Sequence, residues 1–226
     1  ANDLYAQVCV LEAEKPCPHE KVVDLLLKLC TMDMQAIEHA HLSECMFKLG
    51  NAYDKLKDPK KAHRFFFASI NPKFRPKEIS DKLWAKGRAR SHDRIARIFQ
   101  KNAREYEMAV KHWKLCIELN PTNIEGILGY SVLLFGYGFV KEAVDLLNEF
   151  EKKATLYCHD AWSNKLLALN YLCGGQLTAE QVFAEHAQWG SLIKKMYAKH
   201  AIGEHTNTKD ISRRLKIGYL SPDLCT

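Results

Sequence analysis

A chain of 226 residues with 47% apolar and 27% charged residues can bury a sizeable core in one or two domains and has the balance of a soluble globular protein. No apolar run approaches the roughly 20 residues that a membrane helix needs. The start, Ala1-Asn2-Asp3, has neither the basic nor the apolar stretch of a secretory signal and no Met, and reads as a processed chain or a fragment.

Residues 1–42 carry weak periodicity. Leu4 to Leu11 and Val22 to Leu29 read as two amphipathic helices split by Lys15-Pro16-Cys17-Pro18, a diverged helical repeat that caps an array of repeats. From residue 43 a period appears. Ala109, Trp113 and Cys116 recur 34 residues on as Ala143, Leu147 and Phe150. A small residue followed four later by a large one, at this period, is the second-helix signature of a tetratricopeptide repeat. The small residue lets two helices approach, and the large one fills the neighbouring groove. The clearest copy, Ser43 to Pro76, has Leu49-Gly50, Tyr53, Ala62, Phe66 and a small residue at Ala68, with Asp58-Pro59 opening its second helix. A second copy, Arg90 to Asn123, has Ala96-Arg97 in place of Leu-Gly. A third runs from Ile124 to Tyr157. The 47 residues from Ala62 to Ala109 exceed the period by 13, which places a basic insertion at 71–91, with an extra helix around Glu78 to Lys86.

Residues 158–199 read as junction helices, 200–214 as a hydrophilic linker, and 215–226 as the truncated start of another domain. There Lys216 to Leu220 is the one strand expected, and Ser221-Pro222-Asp223 a turn. Gly136, Gly138, Gly174 and Gly175 read as helix ends.

The net charge of +6 is concentrated. Residues 73–104 hold 11 Lys and Arg against Glu78, Asp81 and Asp93. Arg90, Arg94, Arg97, Lys101 and Arg104 fall at helical steps and stripe one face. A solvated face or an acidic protein partner fits this stripe better than nucleic acid. Only Trp84 and Phe99 are interleaved with it, and no nucleic-acid motif is present. The eight cysteines form no C-x-x-C pair and read as reduced core residues. No cysteine and histidine set has ligand spacing, so no metal is expected. Trp113, Trp162 and Trp189 read as core, and His186 as a packing or surface residue. No catalytic set is visible: there is no G-x-S-x-G, no phosphate loop and no H-E-x-x-H. What remains is a binding surface. First helices line the concave face of such an array, so Lys48, Asn51 and Arg94 are the candidate peptide-binding residues.

The C-terminal third is more specific. N-K-L-L-A-L-N-Y (Asn164 to Tyr171), F-A-E-H-A-Q-W-G (Phe183 to Gly190) and L-K-I-G-Y-L-S-P-D (Leu215 to Asp223) stand in this order. They resemble the junction between repeats and catalytic region in family 41 protein O-glycosyltransferases, the O-GlcNAc transferase and SPINDLY proteins. The resemblance implies an all-α array of tetratricopeptide repeats, a right-handed superhelix, followed by a fragment of a Rossmann-like GT-B lobe. For the full-length protein it implies Ser/Thr O-fucosyl or O-GlcNAc transfer from GDP-fucose or UDP-GlcNAc, with the repeats selecting protein substrates in cytoplasm and nucleus. This stretch itself is expected to hold no cofactor and no catalytic residue, and to be inactive alone. Self-association is left open, and no membrane contact is expected. The family's asparagine ladder has no match here, since its positions are Lys48, Ile95 and Gly129. The rival reading is a non-enzymatic repeat scaffold that binds peptides or acidic protein partners.

Overall fold

The computed structural model describes residues 2–32, 42–76, 79–154 and 158–200, together with 203, 208, 210, 212, 214 and 217–219. Among the described residues there are ten α-helices and no strand. They are α1 (Asn2–Ala13), α2 (His19–Thr31), α3 (Leu42–Lys55), α4 (Pro59–Ser69), α5 (Asp81–Gln100), α6 (Tyr106–Leu119), α7 (Ile124–Gly136), α8 (Val140–Lys153), α9 (His159–Leu172) and α10 (Ala179–Met196). The chain divides into two units, Ala1–His186 and Ala187–Thr226.

In the first unit, helices pack in chain order from α1 to α9, each against the next, and α5, α7 and α9 also touch one another in turn. The core is accordingly a string of linked clusters. Val8, Leu26, Cys45 and Leu49 join α1, α2 and α3. Phe47, Ala62, Phe66 and Ile95 join α3, α4 and α5. Ala96, Ala109, Trp113 and Tyr130 join α5, α6 and α7, and Ile127, Leu147, Phe150 and Ala161 carry the core on to α9. Each helix pair thus buries its apolar face only by leaning on the next pair.

The small-and-large pairing is realised at two glycines. A Cβ on Gly50 would lie 2.5 Å from the Phe66 ring, and one on Gly129 would lie 2.2 Å from the Trp113 ring. Helix starts obey the side-chain chemistry. The Asp58 carboxylate accepts from the Lys61 amide at 3.1 Å, Ser80 Oγ from Leu83 at 3.3 Å, and Asn123 Oδ1 from Gly126 at 3.2 Å. Thr178 and Gln181 cap α10 reciprocally, at 2.9 and 3.3 Å. The α7–α8 turn passes through Gly138 at φ 84°, a conformation that costs glycine nothing.

Three expectations need correction. Among the described residues, no separate helix forms between Ile79 and Lys86. Residues 81–86 are the first turns of α5, which runs unbroken to Gln100, and the rest of the inserted stretch holds the 3-10 turn Pro72–Phe74; Glu78 lies outside the described residues. The late small position of the first copy is Ser69, 2% exposed, and not Ala68. The cysteines are not all core, although Cys17, Cys30 and Cys158 pack half-buried against it. Of the seven described, only Cys45 and Cys116 are buried, while Cys9 and Cys173 are exposed. Burial pushes both buried thiols up to about 12. An alkylating reagent on the native protein at neutral pH is therefore expected to label Cys9 and Cys173 and to spare Cys45 and Cys116, as read by peptide mass mapping.

The second unit contains the end of α10 and the 3-10 turn Ala198–His200. Most of the expected linker and strand lies outside the described residues. Ile217 and Tyr219, which are described, are 70% and 83% exposed and belong to no strand.

Candidate peptide-binding face

The first helices of the successive pairs, α1, α3, α5, α7 and α9, share one face of the first unit, and polar side chains cross between them. Lys48 on α3 ion-pairs with Glu12 on α1, with its Nζ 5.7 Å from the centre of the Tyr5 ring. Arg90 on α5 meets Glu44 on α3 at 2.6 Å, its guanidinium 4.8 Å from the Phe47 ring centre. Lys101 lies 3.8 Å from Asp54. Arg97 reaches Glu125 on α7 at 3.1 Å and covers the Trp113 ring at 5.4 Å. Between α7 and α9 the link is aromatic, with the Phe135 and Tyr171 rings edge to face at 4.9 Å.

These links revise the reading of the basic stripe. Three of its five cations, Arg90, Arg97 and Lys101, answer acids on neighbouring helices. Arg104 lies beyond α5, in the 3-10 turn Ala103–Glu105. Exposed pairs of this kind contribute little individually. Trp84 is buried and offers no stacking platform. Trp113 and Trp162 are core, and Trp189 is half-buried.

Of the three candidate residues, Lys48 is committed to Glu12, with a side chain only 15% exposed. Asn51 and Arg94 come together. They line one cleft of about 320 Å³ with Glu12, His19, Asp54 and Lys55. Arg94 is held loosely, its Nε 3.7 Å from Asp93. Asp93 is buried and already takes Arg97 Nε at 3.1 and 3.3 Å. Burial pushes the Asp93 carboxyl up, while Arg97 and Arg94 pull against it. Arg94 therefore keeps donors for a further acceptor. At the ladder positions Ile95 is fully buried and Gly129 lies under Trp113, so neither presents a polar group to a ligand.

Two buried polar groups escaped sequence reasoning. The Lys165 ammonium sits 2.9 Å from Glu185 and 3.1 Å from Glu151, and 4.6 Å from the Trp162 ring centre. Its signal is a lone cation inside an apolar run, Asn164-Lys165-Leu166-Leu167. Lys165→Ala leaves two carboxylates facing each other, and is expected to cost about 2 kcal/mol in denaturant unfolding, below the range for fully buried pairs because both acids are partly exposed. The second group is a histidine pair. His92 Nδ1 and His112 Nδ1 are 2.8 Å apart in the interior, and no sequence spacing announces them.

No family model matches the chain. Two solved helical arrays superpose on it. One is a putative kinesin light chain with TPR-like repeats from Podosopora anserina, at TM-score 0.60 and 17% identity, covering 86% of this chain and 96% of that one. The other is BtubC (BKLC) from P. vanneervenii, at TM-score 0.60 and 15% identity, covering 96% and 87%. The fold is a tetratricopeptide-repeat array. Identity this low shows the fold alone.

The sequence relatives are of another kind. A stretch of 67 residues is 37% identical to the probable UDP-N-acetylglucosamine–peptide N-acetylglucosaminyltransferase SPINDLY of Hordeum vulgare, and matches of 36% and 37% link it to the proteins of the same name in Petunia hybrida and Solanum lycopersicum. The match covers 30% of this chain and 7% of each relative. Over that stretch the chain resembles SPINDLY proteins. Among the described residues no helix is long and apolar enough to cross a membrane.

Proposed function

We propose that the chain is the protein-recruiting repeat region of a nucleotide-sugar-dependent protein O-glycosyltransferase. The observation that carries this reading is the 37% identity over 67 residues to a named glycosyltransferase, joined to a repeat fold. A repeat array without a catalytic set of its own is suited to hold a protein acceptor while a separate nucleotide-sugar domain acts on it. GDP-fucose and UDP-GlcNAc are the donors to compare. The open cleft with Asn51 and Arg94 is where an extended acceptor segment would rest.

The test begins with the mass of the native polypeptide in its source cells, read by an antibody against this segment. A repeat array joined to a two-lobed transferase is expected at about 80–110 kDa. The purified native protein is then expected to move labelled fucose or N-acetylglucosamine onto protein acceptors, and to lose that activity toward proteins, but not donor hydrolysis, when residues 42–172 are removed. A native polypeptide of this chain's own mass that transfers neither sugar would overturn the proposal in favour of a non-enzymatic repeat scaffold.

A further inference from the structure

The first-helix face changes character along its length. On α3, α5 and the start of α7 it is charged, and toward the ends of α7 and α9 it is apolar. The residue one period beyond Lys101 is Phe135, and Phe135 touches Tyr171. Val132, one turn before Phe135, is 49% exposed. Leu167, one turn before Tyr171, is 50% exposed, and Tyr171 itself is 67% exposed. Residues three and four apart on a helix are surface neighbours, so these four side chains form one apolar patch across two adjacent helices. Single exposed apolar residues need no explanation, but a contiguous aromatic patch on a repeat array does.

The charge at the other end is unbalanced in a specific way. The cleft acids are met from outside its lining: Glu12 closely by Lys48, and Asp54 loosely by Lys101 at 3.8 Å. Its cations keep more free donors. Arg94 has only its loose contact to Asp93, and Lys55 makes no ion pair among the described residues. The cleft is therefore complementary to a carboxylate.

We infer that this face binds an extended peptide with two anchors: an acidic side chain at Arg94 and Lys55, and an aromatic or large aliphatic side chain on Val132, Phe135, Leu167 and Tyr171. Packed helices lie about 8–10 Å apart. The cleft beside α5 and the gap between α7 and α9 are then roughly 15 Å apart, a span of about five residues of extended chain at about 3.3 Å each. An extended peptide suits such a face because successive side chains reach separate pockets while its backbone stays hydrated. The inference rests on the recruiting role proposed above and names the chemistry of the recruited segment.

The experiment uses the full 226-residue chain and short fluorescent peptides in a Ser/Gly background, read by anisotropy. The probe carries one Glu and one Phe about five residues apart, in both orders. Its binding is expected to weaken about tenfold when Phe becomes Ala, when Glu becomes Gln, or when the protein carries Tyr171→Ala or Arg94→Gln. Added salt should weaken the parent probe and leave the Gln peptide unaffected. Tyr171→Ala is a change at an exposed position, and its unfolding midpoint should match the parent's. Equal binding of the anchored and anchor-free peptides overturns the two-anchor model while leaving general peptide recruitment standing. No binding by any peptide removes both. Concentration-dependent dimerisation that Tyr171→Ala abolishes also overturns the inference, because the patch would then be covered by a second copy.

Discussion

Gly129→Ala is expected to destabilise the first unit by about 3 kcal/mol, at the upper end of what overpacking costs. The added methyl would stand 2.2 Å from Cη2 of Trp113, with Cζ2 at 2.5 Å. That separation is far inside van der Waals contact, so something must move. The indole has nowhere to go. It is fully buried among Ala96, Ala109, Tyr130 and Leu134, and the Arg97 guanidinium lies on its face. Relief then has to come from parting α6 and α7, which opens the junction between the second and third repeats. Trp113→Phe in the Gly129→Ala background should recover part of the loss, because a smaller ring makes room for the methyl. Urea midpoints for the parent, the two single variants and the double variant measure this coupling. A Gly129→Ala protein as stable as the parent would show that Trp113 does not hold the two helices in register.

The same pair shows how much of the fold is legible in the chain. Ala109 and Trp113 announce a small-and-large step at a period of 34, and the structure uses them as that pattern requires. Local packing rules are written in residue size, and size is visible in a sequence. The length of α5 is less visible. Its first half, Asp81 to Arg90, is charged, and counting residues against a fixed period makes it look inserted. Yet no proline or strained glycine interrupts the run from Ser80, which caps it, to Gln100, and Gly87 sits in open space within the helix. The insertion lengthens a helix that the repeat already owned. Side-chain partnerships are the least visible. Lys48 meets an acid 36 residues away and Arg90 one 46 residues away. Their spacing comes from how helices α1, α3 and α5 lie side by side, which no local pattern encodes. Lys48 is therefore legible as a residue facing its neighbours, but not as one already paired, while Asn51 and Arg94 do share a cleft.

The histidine pair is expected to make the protein lose stability as the pH falls below the ordinary histidine range. His92 and His112 are 3% and 4% exposed, and their Nδ1 atoms are 2.8 Å apart, so one ring donates to the other. Phe67 meets His112 edge-on at 5.4 Å, Phe99 stacks on it at 5.6 Å, and His63 touches both phenylalanines. Water that would solvate a charged ring has little access to this pocket. Burial first, then the neighbouring His112 and Arg88, pushes His92 down to about 4. Burial first, then Lys111 and His63, pushes His112 down to about 4. In the unfolded chain both rings titrate near the ordinary 6.5. Above that value they are neutral in both states, and stability does not vary with pH on their account. Between 6.5 and 4 the unfolded chain takes up protons that the native state refuses, so stability falls with pH, and it stops falling once the native rings also charge. Each ring accounts for about 3 kcal/mol over this window, and the coupled pair for about 3–6 kcal/mol, a large share of a typical domain's stability of roughly 5–15 kcal/mol. Asp58 is held low by the Lys61 amide and Glu149 by the Lys152 ammonium, and both lose their contribution at the acid end of this window and below it. Asp93, held high by burial, opposes the trend as it protonates. Urea midpoints from about pH 7 to about pH 4.5 are therefore expected to decline steeply for the parent. In a His92→Leu, His112→Phe double variant, which removes both titrating rings and keeps the site apolar, the profile should be nearly flat. A double variant that declines as steeply as the parent would place the acid sensitivity elsewhere, with His63 the next ring to replace, because burial lowers it too and Glu105 only partly offsets that.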